Sequence, residues 1–453
     1  MGSFSTLDSF LEKHSSIKAF YPSDKEFSSI SQKYLATPDV PSLIVRPQSA
    51  EDVAALVSHC AATSTPFVVR AGGHDMSARS TVNDILQIDL RDISHVNVSS
   101  DRKSALVGGG VLGGHLQEAL DKDGLMTPTG TIGTVGYVGW ATFGGYSSYT
   151  PSLGLGIDQI LGAKIVLASG ELVDADEELL RGIRGAGPAL GVITELEIKV
   201  YPKQEIQAGM VLYESKDLYA TIKTFWPNWN KLVQEKDLPD ELCVMPALLE
   251  IPGMGKVYAA AYVWNGPGSE NSNKWFEEIS SLALVGMQMV APTSPSAYLT
   301  QLTSLVPTIC YPGSSQTVST KGLAFTDEII EAYAKHAAKI PGGGPLLGMH
   351  QLRGKASRSG NPPGVFRYRG DHLMLEIVGL SATTDVTKEG KEWAEGMKNA
   401  LKDLDGVMEG GYYSLLPKGE VGLDVIYGEH WETVKKLKEK VDPGNVFKFP
   451  FSS

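Results

Sequence analysis

Three clusters of glycine constrain this chain more than any other feature. Glycine supplies 49 of the 453 residues, about 11% against a usual ~7%. No Gly-X-Y period accompanies it, so a collagen-like helix is excluded. The positions call instead for positive φ or close approach of backbone to something else. The first cluster is Arg70-Ala71-Gly72-Gly73-His74-Asp75-Met76, directly after the strand-like Thr65-Pro66-Phe67-Val68-Val69. Such a turn exposes consecutive N–H groups able to cradle a pyrophosphate. A plain glycine turn with a surface histidine explains these residues equally well. The second places six glycines between Gly130 and Gly145, interleaved with Tyr137, Trp140, Phe143 and Tyr146. It reads as backbone laid against a planar ligand, or as tight turns in a packed core. The third, Arg184 to Thr194, reads as another glycine turn feeding a strand. No G-x-G-x-x-G follows a strand at the chain start, and no phosphate loop, nucleophile elbow or H-E-x-x-H pair is present.

The first 205 residues alternate strand and helix signals. Ser49-Ala50-Glu51-Asp52 reads as a capped helix start, with Val53, Leu56, Val57 and Cys60 on one face. Leu86, Ile88 and Leu90 alternate with polar residues, as in a half-buried strand, and Ser169-Gly170 marks a hairpin. From about Gln204 to Gly410 glycine thins and tryptophans and longer helical patterns take over; His372 to Val378 is strand-like. A final amphipathic helix, Glu429 to Lys440, buries Trp431, Val434 and Leu437 and stops at Asp442-Pro443-Gly444-Asn445. Two large domains fit better than three. The net charge, 40 − 52 = −12, argues against a nucleic-acid partner. Cys60, Cys243 and Cys310 have neither disulfide nor zinc spacing, so no metal site is expected. No signal peptide or apolar span is evident, so the expectation is a cytoplasmic protein without membrane insertion.

Taken together and in this order, the three clusters resemble the FAD-linked oxidases of the berberine-bridge and hydroxynicotine-oxidase type, within the PCMH-type vanillyl-alcohol-oxidase superfamily. The resemblance runs from Pro41 to about Tyr201 and returns at Tyr427-Gly428-Glu429-His430-Trp431 and Asp442-Pro443-Gly444-Asn445-Val446-Phe447. It implies an α+β architecture: a two-domain PCMH-type FAD-binding fold with an inserted α/β substrate domain built on an antiparallel sheet. The FAD-binding domain is expected at 1–205 plus 415–453, the substrate-binding domain at 206–414.

The resemblance also implies covalent FAD, bonded at its 8α-methyl carbon to His74. Ile132 stands where many relatives carry a second, cysteinyl attachment, so a single link through His74 is expected. The implied cofactor-binding set is Arg70, Ala71, Gly72, Gly73, His74, Asp75 and Met76; Gly130, Thr131, Val135, Gly136, Gly139, Trp140 and Gly145; Gly191 and Ile193; and Asn445. Val135 leaves room for oxygen at the flavin edge. Arg358 is aligned with the catalytic glutamate of berberine-bridge enzymes, and Tyr413-Ser414-Leu415-Leu416 with their Tyr-x-Asn-Tyr. Tyr413 and Tyr427 therefore remain as catalytic candidates. The expected reaction is dehydrogenation or oxidative cyclisation of a lipophilic specialised metabolite, with O2 as electron acceptor. A flavin-containing cyclase or isomerase without net redox, a carbohydrate oxidase and a flavin-free binding protein stay open.

Overall fold

The computed structural model describes residues 5–451 apart from Ala78 and Thr81. Strands upstream of Ile206 build three sheets. In the first, Lys18–Phe20, Leu43–Arg46, Leu86–Asp89 and Phe67–Arg70 lie side by side in that order, the last three parallel. The helix Ala50–Thr63 makes the crossover. The Ser49 hydroxyl caps it, accepting from the Asp52 N–H at 3.2 Å, and Val53, Leu56, Val57 and Cys60 are buried against the sheet. The strand Leu86–Asp89 departs from its half-buried expectation. It is the third of four strands and is covered on both faces, so Gln87 and Asp89 are fully buried. Asp89 accepts from Arg91, and the Gln87 amide nitrogen donates to the Ser80 carbonyl, while its Oε1 has no partner among the described residues.

The second sheet is antiparallel, in the order Val96–Val98, Ser104–Gly108, Val192–Lys199, Ile160–Val166, Leu172–Asp174. Its last two strands form the hairpin anticipated at Ser169-Gly170. Leu125–Met126 and Tyr201–Pro202 form a two-stranded third sheet. The Arg184–Thr194 segment is not a simple turn. The helix Glu177–Leu190 runs through it and breaks at Arg184 and Gly185, where Gly185 takes φ 144°. The Arg184 guanidinium turns inward to the Ile160 carbonyl, and a Cβ on Gly185 would meet Phe366 N at 2.9 Å.

Strands between Ile206 and Met408 form one eight-stranded antiparallel sheet: Val285–Thr293, Ile206–Tyr213, Gly255–Trp264, Leu242–Ile251, Leu346–Leu352, His372–Val378, Ser315–Thr320 and Val407–Met408, in spatial order. Side chains alternate between its faces. Leu373, Leu375 and Ile377 pack with Trp226, Trp229 and Tyr333, on the side covered by the helices Leu218–Glu235, Asp327–Ala337 and Thr387–Leu401. His372, Met374 and Glu376 share the opposite face, and His350 lies opposite Met374 in the neighbouring strand. The chain then returns to its first half, where Leu437 of the helix Trp431–Val441 presses on Gly182. No helix among the described residues is long and apolar enough to cross a membrane.

Trp226 is fully buried and stacks on Phe325 at 3.9 Å. Trp226→Ala should destabilise the protein by about 3–5 kcal/mol, read as a lower urea midpoint in chemical denaturation.

Candidate functional site

A long cleft, with about 1700 Å³ of empty space including its open mouth, runs between the glycine loops and the helix-free face of the large sheet. One wall is the turn after the strand Phe67–Arg70. This turn contacts the second glycine cluster backbone to backbone: a Cβ on Gly72 would lie 2.2 Å from Gly136 N, and one on Gly136 2.4 Å from Gly72 N. Only glycine fits at either position. Gly73 takes φ 77° and turns the chain so that His74 follows at the cleft wall. The N–H groups of Gly73, His74, Asp75 and Met76 donate to no described residue. Downstream, Asp75 accepts from the N–H groups of Ser77 and Arg79 and stabilises the turn. A run of unpaired N–H groups beside glycine is a ready anion cradle, and it fits the pyrophosphate of FAD. Gly139 lines the cleft with nothing within 4 Å of where its Cβ would stand, so this wall is open to a flat ring.

The His74 ring is fixed on two sides. Tyr34 stacks on it, centroids 4.3 Å apart and planes 18° apart, and Nε2 lies 2.8 Å from Thr134 Oγ1. Burial, and secondarily the Arg70 guanidinium, lower its pKa to about 4. At neutral pH it is an uncharged imidazole, the form in which a ring nitrogen can act as nucleophile.

Ala71, Gly72, Gly73, His74, Asp75, Met76, Gly130, Thr131, Val135, Gly136, Gly139, Trp140, Gly191 and Ile193 all line the cleft, as does Ile132. Five expected residues do not. Arg70 is buried beneath the turn, donating to the Ile30 and Gln32 carbonyls at 2.7 and 2.5 Å. Gly145 sits one residue behind the wall and donates its N–H to the Tyr412 hydroxyl. Asn445 is exposed in a left-handed turn, φ 49°, a conformation asparagine tolerates. The helix-stop alone accounts for it.

The two catalytic candidates also require correction. Tyr427 is buried away from the cleft and donates to the Gly185 carbonyl at 3.2 Å. The Tyr413 hydroxyl is taken by the Pro450 carbonyl, and Arg79 covers its ring at 4.4 Å. The neighbouring Tyr412 lines the cleft instead, together with Ser414 and Leu415. The tyrosine motif is thus offset by one residue, because adjacent side chains entering the short turn Tyr413–Leu415 point opposite ways. Arg358, aligned with a catalytic acid, is exposed and paired to Asp240. On the sheet side of the cleft the lining carboxylate is Glu376; Asp75 lines the glycine-loop side and is engaged with the Ser77 and Arg79 N–H groups.

Glu376 belongs to a polar cluster on an otherwise apolar wall of Met374, Phe143, Leu415 and Phe449. His350 places Nε2 3.6 Å from the Glu376 carboxylate, while its buried Nδ1 has no partner. Tyr146 stands 5.1 Å from Tyr412, edge to face, and its hydroxyl lies 2.6 Å from Nε2 of His372. His372 Nδ1 is 2.8 Å from the Gly370 carbonyl. A carbonyl can only accept, so Nδ1 carries the proton and Nε2 accepts from Tyr146. Burial holds the phenols of Tyr146 and Tyr412 above their ordinary pKa, so both are protonated at neutral pH. The one available signal was periodic: His372 and Glu376 occupy a single face of an otherwise apolar strand. Among the described residues no group of three or more His, Cys, Asp or Glu could hold a metal ion.

A family model described as an FAD binding domain matches residues 41–176. The solved 6-hydroxy-D-nicotine oxidase of Arthrobacter nicotinovorans superposes with a TM-score of 0.80 at 23% identity, covering 96% of this chain and 97% of that one. A BBE-like protein of Physcomitrella patens gives 0.83 at 20% identity, covering 99% of both chains. Fold and cleft together define a PCMH-type FAD-binding protein. An FAD-linked oxidoreductase of Gibberella zeae, aurO, is 31% identical over 426 residues, 90% of this chain and 80% of the relative. The chain belongs to this family of FAD-linked, berberine-bridge-like oxidoreductases, and it is an FAD-dependent enzyme.

Burial lowers His372 to about 4, as it does His74, below the ordinary ~6.5 of histidine. Between those values the unfolded chain binds protons that the folded chain refuses. Stability should therefore fall as pH drops from about 6.5 to about 4 and level off below. Urea unfolding across pH should show this slope, and His372→Gln should flatten it by up to one proton.

Proposed function

We propose that the chain is an oxidase holding FAD through a single bond to His74 and dehydrogenating a lipophilic, ring-containing metabolite, with O2 as electron acceptor. The carrying observation is the substrate wall: Met374, Phe143, Leu415 and Phe449 line it beside a few polar groups, chiefly Glu376, His350, Tyr412 and Ser414. An apolar wall desolvates an apolar ring, while a few placed polar groups orient it. Bound FAD would accept a hydride from the substrate and pass two electrons to O2. The 1–205 plus 415–453 segments would form its binding domain and 206–414 the substrate domain.

The side chains divide the remaining work. Glu376, with His350 beside it, takes the substrate proton that leaves as the hydride departs. Tyr412, whose oxygen accepts from the Gly145 N–H, keeps its own O–H to donate to a substrate oxygen or nitrogen, while Tyr146, whose proton goes to His372, can only accept from the substrate. Ile132 offers no thiol, and the three cysteines are buried elsewhere, which supports one attachment rather than two.

The purified protein should be yellow and should keep its flavin through acid precipitation, whereas His74→Ala should release it. Anaerobic addition of a substrate found by peroxide screening should bleach the flavin band, with product two hydrogens lighter. An unbleached band with a product of unchanged mass would establish an isomerisation instead. Glu376→Gln should lower kcat/KM by ~10²–10⁴-fold at unchanged flavin content, while Arg358→Ala and Tyr413→Phe stay near wild type. Loss of activity in Arg358→Ala alone would overturn this assignment.

A further inference from the structure

The loop that meets His74 is itself anchored. Gly133 donates its N–H to Thr303 Oγ1 at 2.8 Å, and Thr303 donates onward to the Leu299 carbonyl within the helix Pro295–Ser304. The next residue, Thr134, brings its hydroxyl to Nε2 of His74. Nδ1 has no hydrogen-bond partner among the described residues. Tyr34 stacks on the ring, and Thr134 covers Nε2 while Nδ1 is left open.

We propose that Thr134 is a positioning residue for cofactor attachment, selecting Nδ1 of His74 as the bonding nitrogen by holding the proton on Nε2. The inference rests on the reading that His74 carries the flavin. A neutral imidazole has one nitrogen with a proton and one with a lone pair, and only the second can attack carbon. When Thr134 Oγ1 accepts from Nε2–H, the lone pair is on Nδ1. In the attachment, Nδ1 bonds to the 8α carbon of FAD. One C–H bond at that carbon and the Nε2–H bond break. The electron pair of the C–H bond stays on the isoalloxazine, which is thereby reduced by two electrons. Dioxygen reoxidises it and leaves as hydrogen peroxide, so methyl, imidazole N–H and O2 give the linked carbon–nitrogen bond and H2O2. The Nε2 proton leaves past Thr134, which is exposed to solvent. The hydroxyl then rotates from acceptor to donor and satisfies the deprotonated Nε2. A hydroxyl serves both states; a methyl serves neither. Tyr34 assists through its π-face, which favours the positive charge passing through the ring.

The test compares wild type, Thr134→Val and Thr134→Ser after adding FAD to flavin-depleted protein. It follows acid-stable flavin with time and the attachment nitrogen by NMR of the isolated flavin peptide. Wild type should be linked at Nδ1. Thr134→Val should bind FAD but attach it about tenfold more slowly, the cost of one lost hydrogen bond, with part of the product at Nε2. Thr134→Ser should restore both the rate and the Nδ1 site. Full-rate, Nδ1-only attachment in Thr134→Val would overturn the proposal, as would Nε2 attachment in wild type, which decides the question even if the valine variant fails to fold. Complete release of flavin from wild type would instead overturn the His74 reading beneath it.

Discussion

Backbone contact between Gly72 and Gly136 is the constraint on which the rest of the site depends. Two loops some sixty residues apart meet with no side chain between them, at separations a Cβ would not permit. That contact puts His74 against Thr134 at hydrogen-bond distance and leaves room for Tyr34 to close over the ring. The N–H groups of Gly73 to Met76 beside it donate to no described residue. An anion cradle and a nucleophile are therefore built by one packing event, and its cost is the backbone entropy of unusually many glycines.

The opposite wall follows a different rule. A strand alternates its side chains, so one face of the large sheet can be largely apolar beneath helices while the other carries His350 and Glu376 to the cleft, with His372 buried behind Tyr146. Buried polar groups survive there because they pair with each other: Tyr146 with His372, His372 with a carbonyl, Tyr412 with the Gly145 N–H. Nδ1 of His350, buried beside Glu376, has no hydrogen-bond partner among the described residues.

Much of the flavin side was legible in the sequence because close backbone approach leaves a local trace. Glycine at Gly72, Gly136 and Gly139 reports the contact directly, and the Ser49 cap and the Val53–Cys60 stripe announce their helix as clearly. What stayed hidden depended on long-range placement. Tyr34 reaches His74 across forty residues, and Thr303 reaches Gly133 across one hundred and seventy. Glu376 looks like one charge in a strand until the sheet gives it a face. Local geometry decides other placements: a one-residue offset brings Tyr412 rather than Tyr413 to the cleft, Arg70 donates to carbonyls beneath the turn, and Asn445 takes a left-handed turn.

The central claim is that this cleft holds FAD tethered at a single histidine. Tandem mass spectrometry of the proteolytic peptide spanning Arg70 tests it most directly. The account predicts a flavin mass localised on His74 and no flavin on any peptide containing Cys60, Cys243 or Cys310. An unmodified His74 peptide from a flavin-containing protein, or flavin mass on another residue, would contradict it.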